Sequence, residues 1–63
     1  TIAAVGYDAE TRTLGVQFKT GGTYHYEDVP EAVYSAFVIS DAPETYFQRH
    51  IRDAYKREKA EDA

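Results

Sequence analysis

The sequence predicts an α+β domain: a three-stranded antiparallel β-meander followed by two α-helices packed on one face, in the order βββαα. Two observations support this prediction. The first 27 residues hold three short apolar stretches separated by polar or Gly-rich turns, which is typical of strands. The remaining residues hold both prolines of the chain, each beside helix start signals and followed by apolar residues at helical spacing.

Three strands are predicted over residues 2–7, 14–19 and 23–26. The second is the clearest, because Leu14, Val16 and Phe18 alternate with Gly, Gln and Lys. Since side chains of a strand point to alternate faces, these three apolar residues should share the core face of the sheet.

Two turns connect these strands. The polar residues 8–13 open with Asp8, whose side chain can accept bonds from nearby backbone amides, as a hairpin loop of this length often requires. The second turn contains Gly21 and Gly22, which adopt positive φ without a Cβ penalty. Short hairpins of this kind predict that the three strands lie side by side in chain order.

The first helix is predicted from residue 29 or 30 to residue 39. Asp28 is the expected cap, Pro30 suits the first turn, and Glu31 follows Asp28 by three positions. The residues at helical spacing that should face the sheet are Val29, Val33, Ala36 and Phe37.

The second helix is predicted to begin near residue 42, with Pro43 in its first turn. Its apolar stripe consists of Phe47, Ile51, Ala54 and Tyr55. Beyond Lys56 the residues are charged on nearly all sides, so residues 57–63 are expected to continue the helix into solvent and fray.

Length and composition limit the functional classes. The 63 residues allow a single domain over residues 1–63, with its core in about residues 2–56. The absence of cysteine excludes disulfides and thiolate metal sites and favours a cytoplasmic setting. No apolar run reaches the roughly 18 residues of a membrane span. Without a phosphate loop, a metal-ligand spacing or a nucleophile motif, we expect no enzyme, no cofactor and no metal.

Several short motifs occur together in a specific order. They are Gly6-Tyr7-Asp8, Leu14-x-Val16-x-Phe18, Gly22-x-Tyr24-x-Tyr26, Val29-Pro30-x-x-Val33-Tyr34, and Tyr46-Phe47 followed by Ile51 and Tyr55. In this respect the chain resembles the KTSC family, whose central mark is Tyr-x-Tyr. The chain departs from the family pattern at Glu44, where Gly is usual, and at Gln48, where Asn is usual.

The resemblance implies a small domain that occurs at the C-terminus of some lysyl-tRNA synthetases and also as stand-alone bacterial and phage proteins. It implies no settled biochemical role, although the synthetase context suggests RNA binding. The resemblance therefore says more about the fold than about the function.

The charge of the chain is unevenly distributed. The net charge is −4, but residues 45–60 carry five Lys or Arg against two acids. Arg49, Arg52 and Lys56 recur three and four apart, so on a helix they would share a face able to follow a phosphate backbone, and Arg57 adjoins them. We therefore expect RNA or single-stranded nucleic acid as a partner, although the same pattern fits a plain solvated helix face.

The Tyr-x-Tyr segment presents two faces. Alternation places Tyr24 and Tyr26 on one face, where they either close the core beneath the helices or stack on bases. So small a domain has few other large apolar side chains, which favours the core interpretation. His25 should lie on the opposite, more solvated face and is included among the candidate nucleic-acid contacts.

Two further hypotheses come from other classes. The acidic first two-thirds of the chain would suit docking of a partner protein through an acidic sheet and loop surface. The open edges of a small sheet would also permit self-association, and the sequence leaves the oligomeric state undetermined.

Overall fold

A computed structural model describes the backbone of residues 2–61 and the side chains of residues 2–59. The elements, in chain order, are β1 (Ile2–Asp8), β2 (Thr13–Phe18), β3 (Thr23–Tyr26), α1 (Glu31–Ile39), α2 (Pro43–His50) and β4 (Arg57–Glu61). The α+β class and the two helices are confirmed. The predicted βββαα order is incomplete, because a fourth strand follows the second helix.

The strands form one antiparallel sheet in the order β1-β2-β3-β4, so the predicted meander of the first three strands is confirmed. Val16 lies opposite Val5 on one side and Tyr24 on the other. Gly21 and Gly22 have φ values of 101° and 93°, the left-handed conformation for which glycine was expected at this turn. Asp8 also acts as predicted, since its Oδ1 accepts the Glu10 amide at 3.0 Å.

The end of the chain corrects the prediction of a frayed helix over residues 57–63. Helix α2 ends at His50, and the amides of Ile51 and Arg52 both donate to the Phe47 carbonyl, at 3.0 and 2.8 Å. After a turn, β4 pairs with β3. A short charged segment has no apolar period of its own, so only its hydrogen bonds to a distant strand reveal it as β. Residues 62 and 63 lie outside the described residues.

The start of α1 also differs from the prediction. Asp28 does not cap the helix: it has φ of 58°, and the cap position is occupied by Pro30 without a side-chain hydrogen bond. The loop is held instead by the Val29 amide, which donates to the Arg12 carbonyl at 2.9 Å. Pro43 does lie in the first turn of α2, as predicted.

Both helices pack on one face of the sheet, each over a different edge. Tyr7 of β1 stacks on Tyr34 of α1 with ring centroids 4.9 Å apart, and Tyr26 of β3 meets Phe47 of α2 edge-on at 5.4 Å. The buried hydrophobic residues that form the core are Leu14, Val16, Tyr26, Val29, Phe37, Phe47 and Ile51.

The core contains three buried rings, Tyr26, Phe37 and Phe47. Further rings are half-buried and pack against this core, among them Tyr7, Phe18, Tyr24, Tyr34 and Tyr55. The opposite face of the sheet presents Gln17 and His25 to solvent. Within residues 2–61, no helix is long and apolar enough to cross a membrane.

Candidate binding cleft

A cleft of about 250 Å³ opens where α2 meets the half of the sheet formed by β3 and β4. Ile2 contributes to the lining together with four rings, Phe18, Tyr24, Tyr26 and Phe47. Pockets for drug-sized ligands usually measure about 300–1,000 Å³. This cleft therefore suits a single planar group, such as one base or one side chain, better than a large cofactor.

The four rings support one another. Phe18 meets Tyr24 and Phe47 edge-on, with centroids 5.9 and 5.6 Å apart. Tyr26 and Phe47 are buried, whereas Phe18 and Tyr24 are half-buried and keep part of their surface in the cleft. Because edge-to-face contacts of this kind fix ring orientation, the apolar walls are held in place before any ligand arrives.

Two arginines lie at the cleft and give it a positive rim. Arg52 belongs to the turn after α2, and Arg57 is the first residue of β4. The Glu27 amide donates to the Lys56 carbonyl at 2.8 Å, which ties the chain beside β3 immediately before Arg57. The Arg57 Cζ lies 5.3 Å from the Tyr24 ring centroid, within the range of a cation–π contact.

Tyr26 carries a polar atom without a partner. Its hydroxyl is buried and forms no hydrogen bond of acceptable geometry within the described part of the chain. The hydroxyl is nevertheless the main cause of a raised pKa of Arg57, to which Tyr24 and Asp53 contribute as well. The Arg57 guanidinium therefore lies near the Tyr26 hydroxyl oxygen, although the two groups are not aligned as a regular hydrogen bond. An orphaned buried hydroxyl is costly and marks a place where a ligand oxygen or water would bind favourably.

The cleft also contains two uncharged or acidic polar side chains, from Glu44 and Gln48 of α2. Glu44 lies in the first turn of α2, and its Oε2 accepts the backbone N–H of Ile2 at 3.1 Å. This contact and the positive end of the helix macrodipole both stabilise the carboxylate. Gln48 offers an amide with both donor and acceptor atoms. The lining thus combines two cations, one carboxylate that accepts a backbone hydrogen bond, and aromatic walls.

The structure brings together only part of the predicted basic cluster. Because α2 ends at His50, Arg49, Arg52 and Lys56 do not share one helix face, which corrects the prediction. Arg52 and Arg57 line the cleft, whereas Arg49 and Lys56 are exposed and do not. Arg57 reaches the same cleft as Arg52 because β4 pairs with β3.

His25 lies away from the cleft. It is exposed on the opposite face of the sheet, where an alanine Cβ at Gly15 would be 3.5 Å from its Cδ2 atom. Glu58 is its partner position on β4. The prediction that His25 lies on the opposite, more solvated face is confirmed, because alternation along β3 separates it from Tyr24 and Tyr26. Its role as a nucleic-acid contact stays a prediction.

Sequence reasoning missed the roles of Tyr26, Glu44 and Gln48 in the cleft. The last two stood out only as departures from the family pattern. Tyr26 belongs to the core, as the preferred interpretation had it, while Tyr24 is half-buried and reaches the cleft. Among the side chains of residues 2–59, no group of three His, Asp or Glu is arranged to hold a metal ion.

Comparison with known proteins gives the family. The model of the KTSC domain matches residues 1–55. The chain belongs to the KTSC domain family. Strand β4 and Arg57 lie beyond the matched residues, whereas Arg52 and the aromatic walls lie within them.

Two similar proteins agree with this assignment. A protein of Stutzerimonas stutzeri strain A1501, described as uncharacterized, is 34% identical over 56 residues, which cover 89% of this chain and 73% of the relative. The crystal structure of a KTSC domain protein from Yersinia pestis superposes with a TM-score of 0.92 at 32% identity, over 94% of this chain and 83% of the other. Neither finding connects the chain to a lysyl-tRNA synthetase.

Proposed function

We propose that this KTSC domain is a non-catalytic module that binds single-stranded nucleic acid, RNA in the first place, at the cleft between α2 and β4. The observation that supports the proposal is the presence of two arginines, Arg52 and Arg57, in the lining of an aromatic-walled cleft. Single-strand binders combine these same two components, cations for the backbone and rings for the bases.

In this proposal the two guanidinium groups hold phosphate oxygens. Arginine suits this task, because its planar fork donates two parallel hydrogen bonds to a phosphate. A phosphate or base oxygen that enters the cleft would also give the Tyr26 hydroxyl the acceptor it lacks. Arg49 and Lys56 are close in sequence to these two arginines, and their positive charge would attract the nucleic acid over a longer range.

The half-buried rings provide the base-binding part of the site. Tyr24 lies beneath Arg57 and beside Phe18, so an unstacked base would find an aromatic surface next to the phosphate contacts. Stacking on such a ring contributes about 1–3 kcal/mol per base and tolerates any sequence. We therefore propose weak, largely sequence-independent binding.

The proposal is tested by the fluorescence anisotropy of a labelled single-stranded RNA of about 12 nucleotides, measured at about 50 and 200 mM salt. Affinity should fall with salt. The double variant Arg52→Gln, Arg57→Gln should bind about ten-fold or more weakly. It should also reduce the slope of log affinity against log salt concentration by about 1.4, since each phosphate contact on a single strand contributes about 0.7 to that slope.

The matched control is Arg12→Gln, Lys19→Gln, which removes the same amount of charge from exposed residues away from the cleft. It should bind nearly as well as the unmodified chain. Equal weakening by both double variants would show that binding depends on net charge alone, and absence of binding at about 50 mM salt would overturn the proposal.

A second candidate, docking of a basic partner protein, draws support from the loops at the far end of the sheet. Asp8, Glu10 and Asp28 are all exposed there, and the Val29 to Arg12 hydrogen bond holds the two acidic loops together. Affinity capture from a lysate distinguishes the candidates, because a protein partner survives nuclease treatment and an RNA-bridged one does not.

A further inference from the structure

The Tyr26 hydroxyl is the one buried side-chain polar atom without a hydrogen-bond partner in the described part of the chain. The Tyr26 side chain is fully buried and lines the cleft between α2 and β4. The hydroxyl of Tyr7, by contrast, donates to the Val29 carbonyl. Because a buried O–H without an acceptor is costly, its presence at the cleft indicates an acceptor that arrives with a ligand.

Two charged donors line the same cleft. The Arg57 guanidinium lies near the Tyr26 hydroxyl and over the Tyr24 ring, with its Cζ 5.3 Å from the ring centroid. Arg52 contributes the second guanidinium. Both arginines are exposed, so a ligand in solution can reach them. The cleft therefore offers two cationic donors and one neutral donor.

A phosphate monoester matches this donor set better than a phosphodiester. A monoester carries a charge of about −1.5 to −2 at pH 7 and presents three acceptor oxygens. Two guanidinium groups balance that charge, and with the tyrosine hydroxyl they supply one donor group for each oxygen. A phosphodiester within a strand carries a single negative charge and has only two such oxygens, since the others continue the chain.

The size of the cleft and its one acid also favour the end of a strand. The volume of about 250 Å³ is below the range of about 300–1,000 Å³ usual for ligand pockets. An internal phosphate reaches the buried hydroxyl only if the strand both enters and leaves this space, whereas an end group needs one entrance. The Glu44 carboxylate, which accepts the Ile2 N–H, would repel a second phosphate in the cleft.

We propose that the cleft binds a terminal phosphate monoester of single-stranded RNA, with Tyr26, Arg52 and Arg57 donating to its oxygens. The inference rests on the proposed function and adds that the strand is held by its end. The exposed Arg57 side chain turns toward the phosphate and opens the path to the hydroxyl beside it. The Tyr24 ring is then placed to stack on the terminal base.

The test compares three forms of one RNA of about 12 nucleotides, labelled on an internal nucleotide: one with a 5′-phosphate, one with a 3′-phosphate and one with hydroxyls at both ends. One phosphorylated form should bind about ten-fold more tightly than the hydroxyl form at about 50 mM salt, the effect of one or two charge-assisted hydrogen bonds. The form that is preferred identifies the end of the strand that is bound.

Tyr26→Phe separates recognition of the phosphate from attraction by charge, because it removes the hydroxyl and no charge. It should reduce the preference to about three-fold or less and leave the affinity for the hydroxyl form unchanged. The matched control is Tyr7→Phe, which deletes the same atom away from the cleft and should keep the full preference. Circular dichroism verifies that both variants remain folded.

The outcomes distinguish this inference from the proposed function. Equal affinity for the three RNA forms would overturn the inference and leave the proposed function standing, whereas absence of binding by all three would overturn both. A preference of unchanged size in Tyr26→Phe would also overturn the inference, since the added charge alone would then explain it.

Discussion

The two edges of the sheet differ in chemistry although they belong to one small core. At the β1 edge, α1 contributes Tyr34 and leaves Val38 exposed, beside a strand without charge before Asp8. At the β4 edge, α2 contributes Phe47 beneath a rim that carries Arg52 and Arg57. The first edge is apolar, and the second is suited to an anion beside a planar ring.

This difference shows how a short chain obtains two distinct surfaces from one fold. The two edge strands of the sheet are β1 and β4. The β4 edge is the charged one, because β4 consists mostly of charged residues near the end of the chain. Without β4, the second open edge of the sheet would be β3, which contains Tyr24, and Arg57 would not be held next to that strand. The charged strand therefore protects the edge and supplies half of the cationic rim.

The largest expected effect comes from removing the ring that joins the two regions. Phe47 contacts Phe18 and Tyr26 on the β4 side and Phe37 of α1, with centroid distances of 5.6, 5.4 and 6.1 Å. Phe47→Ala should lower the free energy of unfolding by about 3–5 kcal/mol. A domain of 63 residues has about 3–9 kcal/mol in total, so the variant should lose a third or more of its stability and unfold at a much lower urea concentration.

The control for this prediction is Ile39→Ala, which truncates an exposed side chain and should change the free energy of unfolding by less than about 0.5 kcal/mol. In the intact chain, fluorescence and circular dichroism should give the same unfolding midpoint, because both regions share one core. If β1 and α1 stayed folded after loss of Phe47, the two regions would be independent.

A smaller effect separates two tyrosine hydroxyls, one on each side. Tyr7 on the β1 side donates its hydroxyl to the Val29 carbonyl at 2.5 Å, whereas the Tyr26 hydroxyl has no partner in the described structure. Tyr7→Phe should therefore lower the free energy of unfolding by about 1 kcal/mol. Tyr26→Phe removes an unsatisfied buried group and should leave stability unchanged or raise it by roughly 1 kcal/mol.

Urea denaturation of both variants under the same conditions measures this contrast. The two substitutions delete the same atom from the same residue type, so each is the control for the other. Loss of stability in both would mean that a bound water satisfies the Tyr26 hydroxyl.

The smallest expected effect concerns pH. The raised pKa of Arg57 means that the folded state favours the charged guanidinium. Its contribution to the free energy of unfolding is therefore retained until strongly alkaline pH and is lost only as the pH rises through that pKa. RNA affinity should therefore vary little between about pH 6 and pH 9.

His25→Gln should leave the RNA affinity unchanged, because His25 lies on the opposite face of the sheet. Anisotropy titrations measure both, and weakening by His25→Gln would place RNA on that outer face instead.

Much of the fold could be predicted because its signals are local. Leu14 and Val16 alternate with polar or small neighbours and are buried in β2, and Gly21 takes the positive φ expected of a hairpin glycine. Pro43 lies in the first turn of a helix, where its fixed φ and missing N–H cost least. In each case the preference depends on a residue and its near neighbours alone.

The candidate site was predicted only in part, because it depends on contacts across the chain. The spacing of Arg49, Arg52 and Lys56 looked helical, but Ile51 is buried at the end of α2 and the chain turns there. The prediction groups Arg57 with Arg52 along one helix, which the structure does not have. Both line one cleft because β4 pairs with β3.

Local patterns along the chain are enough to predict the periods of β2 and the helices, the turn positions, the shortage of large apolar side chains and the concentration of cations near the end of the chain. Three features appear only in the folded chain: residues 57–61 form a strand, Arg57 lies over Tyr24, and the Tyr26 hydroxyl is buried with no hydrogen-bond partner among the described residues. The physical reason is that a strand's backbone bonds are made with another segment of the chain. The residues of a strand alone therefore do not predict the strand it pairs with, because that pairing depends on the position of the partner strand.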